Sequence, residues 1–170
     1  MITFRFRLTD ESSIPLLQCC FSNKEFCDML YNGDTVNVNK YIENNGTDLK
    51  YTCSFRYPNN TSFIDLGFAN CYKKADGSYT YIGGIDPRYF NSGLGVKGDI
   101  AMLSYIFNKH PDIILTTGVF KYNIRSLKLT KSVGFNPINE TETKVLYRME
   151  KKDFYNPLVI KVLNSVTIEY

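Results

Sequence analysis

The feature that most constrains the fold is a glycine-rich stretch in the middle of the chain. The segment YIGGIDPRYFNSGLGVKGD, residues 81–99, holds five of the chain's 11 glycines and lies between a strand-like run and a run with helical periodicity. Glycine inside a strand marks a bulge or the close approach of a ligand. Glycine at the start of a helix leaves the free N–H groups of the first turn open to an anion. The stretch therefore predicts a ligand with a pyrophosphate group beside a disrupted strand. The alternative is a bulged strand and a glycine-rich loop that bind nothing.

Length and composition indicate one domain. A chain of 170 residues can bury a full core but is short for two domains. We therefore expect a single domain over residues 1–170, with its core at about 2–151 and a C-terminal extension at 152–170. The extension is apolar for a tail, so we expect it to pack on the sheet or to form a dimer contact. The protein would then be a monomer or a homodimer.

Several classes of partner are disfavoured by the composition. The N-terminal residues alternate apolar and basic side chains where a signal peptide needs a continuous apolar run, and no stretch reaches the ~20 apolar residues of a membrane span. A net charge of +3, without a stripe of Lys and Arg, gives little affinity for nucleic acid. We therefore expect a cytoplasmic protein that binds neither a membrane nor nucleic acid.

The cysteines and the histidine do not form a metal motif. The five cysteines lack the paired spacing of a zinc site, and His110 is the only histidine. An odd number of cysteines in a protein of the cytoplasm indicates reduced thiols, and free cysteine is usually buried. We therefore expect no metal ion and mostly buried thiols at Cys19, Cys20, Cys27, Cys53 and Cys71.

The first third of the chain reads as a strand followed by two helices. Strict alternation of apolar and polar residues predicts a strand at residues 2–8. Thr9 or Asp10 can cap the first helix, and Ser22 with Glu25 three residues later forms a capping box that opens the second. The stretch 33–46 predicts a short helix between turns.

The remainder of the chain alternates strands with helices. Runs rich in Tyr, Phe and Thr predict two hairpin strands, and the Asp76-Gly77 turn leads to a third strand. Apolar spacing then predicts a helix after the glycine stretch, followed by a buried strand. A second helix begins at Asn123 and ends at Gly134, and the chain returns to strand after it. The strands of this part read at 50–57, 61–73, 79–85, 112–119 and 144–151. The element order βαα-βββ-α-β-α-ββ predicts an α+β fold with a mixed, mostly antiparallel sheet and a parallel step around residues 79–120.

Two common phosphate motifs do not fit the glycine stretch. GLGVKG matches the spacing G-x-G-x-x-G, yet a dinucleotide site needs the strand to run directly into the first glycine and an acid about 20 residues later. Here DPRYFNS intervenes, and residues 116–120 read TTGVF. A P-loop is excluded as well, because Asp99 follows Gly98 where Lys is required.

A third motif fits the stretch. FNSGLGVKGDIAMLSYIF resembles the acyl-CoA pyrophosphate motif of the GNAT superfamily of N-acyltransferases, with Gly93 and Gly95 at the positions where the family has Gly or Ala. The next segment, ILTTGVFKYNIRSLKLTKSVGF, is similar to the RimJ/RimL-like branch of that family. The pattern of this branch is matched by Asn123, Ser126 and the pair Gly134-Phe135. The resemblance covers about residues 2–151 and is strongest over 81–135.

The resemblance implies a GNAT-like sheet with a bulged, splayed strand pair and flanking helices. It also implies an acyltransferase of the EC 2.3.1 type, in which an amine attacks acetyl-CoA directly in a ternary complex, with an amide between Ile82 and Ile85 donating to the oxyanion. Asn123 would hold the pantetheine arm as well as cap its helix. The implied residues for acetyl-CoA are Ile82, Gly84, Ile85, Ser92, Gly93, Leu94, Gly95, Val96, Asn123 and Ser126.

The chain departs from the family at two positions. Phe90 stands where the family often has Arg or Gln, and Thr130 stands where many members carry the tyrosine that protonates the departing CoA. Ser126 and Thr130 are therefore the candidates for the general acid. Thr130 also keeps open the alternative of a non-catalytic module of the same fold that binds or senses acyl-CoA. A weaker alternative is a protein that binds ATP or NAD through the same loop.

The general base and the acceptor amine stay open at this point. Candidates for the base lie on or near strands that should flank the cleft: Asp65, Asp86, Tyr79, Tyr81 and Tyr147. The resemblance places acceptor recognition in the first two helices and residues 31–47, where Glu25, Asp28 and Asp34 could attract a cation. The acceptor is thus expected to be an amine on a small molecule, an amino sugar or a protein N-terminus.

Overall fold

The computed structural model describes residues 1–43 and 48–170. The strands are β1 (Ile2–Leu8), β2 (Leu49–Arg56), β3 (Ile64–Lys73), β4 (Tyr79–Ile85), β5 (Leu115–Phe120), β6 (Asn136–Glu140), β7 (Lys144–Met149) and β8 (Val166–Glu169). The helices are α1 (Ile14–Phe21), α2 (Lys24–Tyr31), α3 (Val38–Ile42), α4 (Leu94–Lys109), α5 (Ile124–Ser132), α6 (Lys151–Phe154) and α7 (Pro157–Leu163), with short 3-10 turns at Glu11–Ser13 and Pro87–Tyr89.

The strands form one sheet in the order β6-β7-β5-β4-β3-β2-β1-β8. Only the pairs β4/β5 and β1/β8 are parallel among the pairs that the structure describes. The parallel step between β4 and β5 is made through α4, since antiparallel neighbours can share a short turn but parallel neighbours need a crossover. The predicted α+β class with a mixed, mostly antiparallel sheet and flanking helices is confirmed.

Helices cover both faces of the sheet. On one face the buried side chains of α4, such as Leu103 and Ile106, join the same core as Phe4 and Leu115. On the other face α1, α2 and α3 enclose a second core that includes Phe68. Neighbouring residues of a strand point to opposite faces, so the sheet separates the two cores.

The C-terminal segment extends the sheet. β8 pairs with β1, with Val166 opposite Ile2, and Val159 of α7 is fully buried in the core on the α4 side. The apolar composition of this segment is explained by these contacts. Packing on the sheet was one of the two outcomes that the sequence predicts for it.

The helix starts follow the predicted capping chemistry with one correction. Asp10 accepts a hydrogen bond from Ser12 N at 3.0 Å and opens the 3-10 turn before α1. The predicted capping box at Ser22 is wrong, because Asn23 caps α2 by accepting from Phe26 N at 2.9 Å. The N–H of Ser22 still donates to Gln18 O, so this residue closes α1. Of the short helix predicted within 33–46, α3 is observed, and residues 44–46 lie outside the described residues.

The glycine pair in β4 is not a bulge. The β3/β4 register runs without interruption from Gly67 opposite Ile85 to Lys73 opposite Tyr79. The irregularity lies instead between β2 and β3, at the step from Cys53 to Ser54. A Cβ atom on Gly67 would lie 2.3 Å from the carbonyl oxygen of Gly84, so β3 and β4 approach too closely for any side chain at position 67.

This contact makes Gly67→Ala a test of the packing of β3 on β4. Because the clash is with backbone, which cannot rotate away, we expect the free energy of unfolding to fall by about 2–3 kcal/mol. Gly118→Ala in β5 is the matched control. Its Cβ would meet only flexible side-chain ends, of Leu146 at 3.2 Å and of Lys144 at 3.5 Å, and the stability of this variant should stay within about 0.5 kcal/mol of wild type. Urea unfolding of the three proteins measures both changes, and equal stability of the two variants would contradict the assignment.

Candidate functional site

The site is created by the separation of β4 from β5. The two strands pair at only two positions, Tyr79 with Leu115 and Thr80 with Thr116. β4 then continues along β3, while β5 continues along β7. A cavity of about 930 Å³ lies between the diverging strands and reaches α2, α4 and α5. The predicted splay of this strand pair is therefore present.

The splay exposes backbone groups of β4. The N–H of Tyr79 donates to Ile114 O on the β5 side, and the N–H of Asp86 donates to Leu66 O on the β3 side. Because successive N–H groups of a strand point to opposite edges, those of Gly83 and Ile85 point to the β5 side. β5 has left β4 at that level, so these two amides face the cavity. The N–H groups of Ile82 and Gly84 point to β3.

The first turn of α4 lies at the end of β4 where the cavity opens. Gly93 caps the helix with a φ of 79°, a conformation that other residues rarely adopt. Ser92 Oγ accepts from Leu94 N at 3.2 Å, and the following N–H groups, of Gly95 and Val96, have no acceptor within the helix. Gly95 brings the helix close to β4, since its Cβ would lie 2.9 Å from Ile85 Cδ1.

The third wall of the cavity is α5. Asn123 Oδ1 accepts from Ser126 N at 3.0 Å and caps this helix, while its Nδ2 donates to Met29 O of α2 at 3.5 Å. Ser126 and Thr130 lie one turn apart and both line the cavity, where Thr130 is buried. Asn123 thus fixes the start of α5 against α2.

The structure brings most of the predicted site residues together. The cavity is lined by Ile82, Gly84, Ile85, Gly95, Val96, Asn123, Ser126 and Thr130. Ser92, Gly93 and Leu94 form the turn that starts α4 without lining the cavity. Of the acids expected to attract a cation, Glu25 lines the cavity, whereas Asp28 forms an ion pair with Lys24 at 2.6 Å and Asp34 lies outside it.

Both carboxylates considered as bases are held by arginines. Asp65 accepts from Arg7 at 2.8 Å and from Ser54 at 2.6 Å. Asp86 is fully buried and paired with Arg88, so burial tends to raise its pKa but the hydrogen bonds and charge of Arg88 lower it below the usual value. Asp86 therefore stays ionised, and both carboxylates are occupied by their hydrogen-bond partners. They stabilise the loop and strand ends instead of facing the cavity.

Sequence reasoning passed over one of the two acidic residues that line the cavity, Asp99. Asp99 of α4 accepts a hydrogen bond from the hydroxyl of Tyr81 at 2.5 Å. Burial raises the pKa of Asp99 to about 6, although the hydrogen bond from Tyr81 acts to lower it. The available signal was periodicity, because Asp99 is three and four residues before the buried Met102 and Leu103 and therefore shares their face of the helix.

Comparison with known proteins identifies the fold. No protein-family model matches the sequence, and no curated protein matches it. Solved structures do match this chain. The spermidine N-acetyltransferase from Vibrio cholerae in complex with CoA and spermine superposes with a TM-score of 0.71 at 13% sequence identity, over 90% of this chain and 98% of that one. The aminoglycoside acetyltransferase AAC(6')-Ib in complex with coenzyme A has a TM-score of 0.69 at 15% identity, over 89% and 96%. A domain from Methanocaldococcus jannaschii DSM 2661 has a TM-score of 0.71 at 16% identity, over 88% and 99%. The chain therefore has the fold of the GNAT acetyltransferases.

Residues 1–43 and 48–170 lack two kinds of feature. This part of the chain contains no helix with the length and apolar character needed to cross a membrane. It also contains no group of three or more His, Cys, Asp or Glu side chains placed to hold a metal ion.

Four of the five cysteines are buried thiols, and Cys19 is partly exposed.

The position of Asp99 predicts an unusual stability profile. Because its pKa is raised in the folded state, the folded protein binds more protons than the unfolded chain, and the free energy of unfolding falls as the pH rises from about 4 to 6. Asp99→Asn removes the partly buried charge and keeps an acceptor for Tyr81. We expect this variant to be more stable than wild type by about 1–2 kcal/mol at pH 7.5, with the gain lost near pH 4.

Urea unfolding at both pH values measures the effect. The control is Asp112→Asn, which removes an exposed carboxylate and should change stability little at either pH. A loss of stability in Asp99→Asn at pH 7.5 would show that the carboxylate stabilises the fold, against this expectation.

Proposed function

We propose that the protein is an N-acetyltransferase that transfers an acetyl group from acetyl-CoA to a primary amine by direct attack in a ternary complex. The observation that carries the proposal is the opening between β4 and β5, which meets the free N–H groups of α4 in the fold of the acetyltransferases described above. The matches at Asn123, Ser126 and the pair Gly134-Phe135 support a place in the RimJ/RimL-like branch.

The pyrophosphate of acetyl-CoA fits the first turn of α4. The amides of Gly95 and Val96 are free to donate, and the dipole of a 16-residue helix favours negative charge at this end. Arg125 and Lys128 line the same cavity and can neutralise further phosphate charge. Arg125 also donates to Asn91 Oδ1 at 2.9 Å, which ties α5 to the glycine-rich loop.

The pantetheine arm would occupy the gap that β5 leaves beside β4. An arm with amide groups can pair with the free backbone of Gly83 and Ile85 as a neighbouring strand would. We assign the oxyanion contact to the N–H of Gly83, since this amide is nearer to the junction of the strands and costs no side-chain reorganisation. Ile82 and Gly84 contribute contact surface, and Asn123, Ser126 and Thr130 present polar groups from α5.

The charges of the cavity bear on the acceptor amine. Among the described residues that line the cavity, the acids are Glu25 and Asp99, and the bases are Lys74, Arg125, Lys128 and Lys144. A site for a polycation needs an excess of acidic groups, because each ammonium must be compensated when it leaves water. Apolar residues of α2, such as Phe26 and Met29, line the cavity together with Glu25. The acceptor that fits best is therefore one amine on an apolar small molecule or at a protein N-terminus.

Val96→Asp tests the phosphate site without disturbing the core. Val96 is 36% exposed at the third position of α4, where a carboxylate caps free amides and interacts favourably with the helix dipole. The same charge repels phosphates. We expect the variant to be as stable as wild type or more stable, while the Kd for CoA measured by calorimetry rises ~10-fold or more.

The neutral variant Val96→Asn is the matched control for shape. It should weaken CoA much less than Val96→Asp, and the difference should shrink as salt is added, because salt screens the repulsion. Unchanged CoA affinity in folded Val96→Asp would remove α4 from the binding site.

A panel of amines tests both the activity and the acceptor class. Release of CoA thiol is measured with phenethylamine, an alanine-initiated peptide, kanamycin and spermine at equal concentration. We expect kcat/KM for phenethylamine or the peptide to exceed that for spermine by ~10-fold or more, since the site lacks compensating acids. A preference for spermine would contradict the acceptor assignment. Binding of acetyl-CoA without thiol release from any amine would favour the non-catalytic module.

A further inference from the structure

The carboxyl group of Asp99 lies against the strand that would hold the acetyl group. The Tyr81 hydroxyl donates to its Oδ1, and a Cβ on Gly83 would lie 3.4 Å from the same oxygen. These contacts place the carboxyl over the segment Tyr81–Gly83 on the α4 face of the sheet. That segment begins directly after Thr80, the last residue of β4 that pairs with β5. Asp99, Tyr81 and Gly83 all line the cavity.

The carboxyl group has no cationic partner in the part of the chain that the structure describes. No ion pair among the described residues involves Asp99, whereas Asp65 and Asp86 are both paired with arginine. From the elements packed against it, β4 presents the Tyr81 hydroxyl and β2 presents the Cys53 thiol. Burial raises the pKa of both groups, so both are neutral at pH 7. A partly buried acid that lacks a cationic partner destabilises a fold, which makes a functional role the better explanation.

The proposed reaction needs two proton transfers near this segment. The attacking amine must lose a proton, and the sulfur of CoA must gain one when it leaves. Thr130 stands where related enzymes often carry a tyrosine for the second transfer. A threonine hydroxyl is a much weaker acid than a phenol, whose pKa is about 10. The phenol of Tyr81 is hydrogen-bonded to a carboxyl group in the same cavity.

We propose that Asp99 and Tyr81 are the proton-transfer pair of this reaction, a proposal that rests on the N-acetyltransferase function. As the nitrogen–carbon bond forms, the Asp99 carboxylate accepts the proton that the amine releases. As the carbon–sulfur bond breaks, its electron pair stays on sulfur, which takes the proton of the Tyr81 hydroxyl. Tyr81 recovers a proton from Asp99 through the hydrogen bond that joins them. The products are the amide and CoA thiol, and both side chains return to their starting states.

The relay explains why the two groups occur together. A buried phenol alone would be left as an unfavourable phenolate after it protonated the sulfur. With the protonated carboxyl beside it, the proton is replaced in the same step. The carboxyl group of Asp99 also lies next to Gly83, whose amide we assign to the oxyanion, so the base on α4 and the oxyanion contact on β4 face the same reacting centre.

The test compares Asp99→Asn, Tyr81→Phe and Tyr51→Phe in the full chain, with the amine of the panel that wild type acetylates fastest. Tyr51 is the matched control, because its buried hydroxyl also has a partner, His110 at 3.1 Å, but at the opposite end of α4. We expect Asp99→Asn and Tyr81→Phe each to lower kcat/KM by ~10²-fold or more, while CoA affinity stays within about threefold. Tyr51→Phe should keep the activity of wild type.

The pH profile separates proton transfer from a structural effect. Wild-type kcat/KM should fall as the pH is lowered through about 6, where Asp99 becomes protonated, and this limb should be absent in Asp99→Asn. The acceptor's own ionisation lies above this value, with a pKa of about 8 for a peptide N-terminus and about 10 for an alkylamine. A limb at 6 that persists in Asp99→Asn would overturn the assignment.

The remaining outcomes distinguish the two levels of the proposal. If wild type acetylates an amine but Asp99→Asn keeps its rate within threefold, the pair is excluded and the N-acetyltransferase function stands. A larger loss in Thr130→Val than in Tyr81→Phe would likewise exclude Tyr81 as the acid. If wild type binds CoA and acetylates no amine, the proposed function and the pair are both excluded.

Discussion

Two backbone pairs hold β4 to β5, and the candidate site depends on how few they are. If the strands stayed paired to their ends, the amides of Gly83 and Ile85 would be satisfied within the sheet and the cavity would close. The separation is possible because each strand has another neighbour, β3 on one side and β7 on the other. The crossover through α4 then returns the free N–H groups of a helix to the mouth of the gap. One topological step thus places an anion site and a set of unpaired strand amides in the same cavity.

Local patterns carried the fold prediction. Alternation predicts β1, helical spacing predicts α4, and the Asp76-Gly77 turn separates β3 from β4, because each signal depends on residues close in sequence. The same holds for the first turn of α4 and for Asn123, which are recognisable from short motifs. The cap of α2 shows where local reading fails, since Ser22 and Asn23 are both good caps and only the end of α1 decides between them.

The parts of the site that escaped prediction depend on contacts across the fold. Tyr81 was among the candidate bases, but its partner Asp99 was not. The two residues are 18 positions apart and meet only because α4 packs back on β4. An acid in an amphipathic helix is usually solvated, so its environment could be recognised only once its helical face was known to be buried. The glycines of β4 misled in a similar way. Gly84 leaves room for the ring of Phe26 and Gly83 leaves room for the Tyr81 hydroxyl, and neither requires a bulge.

The narrow junction also divides the sheet mechanically. β8, β1, β2, β3 and β4 form one continuous hydrogen-bonded ladder, and β5, β7 and β6 form a second. Rotation of one ladder against the other strains only the short paired region, or seam, at Tyr79 and Thr80. The angle between the two ladders can therefore change at a lower energy cost than the geometry within either ladder. A chain inserted into the gap would act as a ninth strand between the ladders. Amide hydrogens along β4 beyond the seam would then exchange more slowly with solvent, and the two ladders would move as one body.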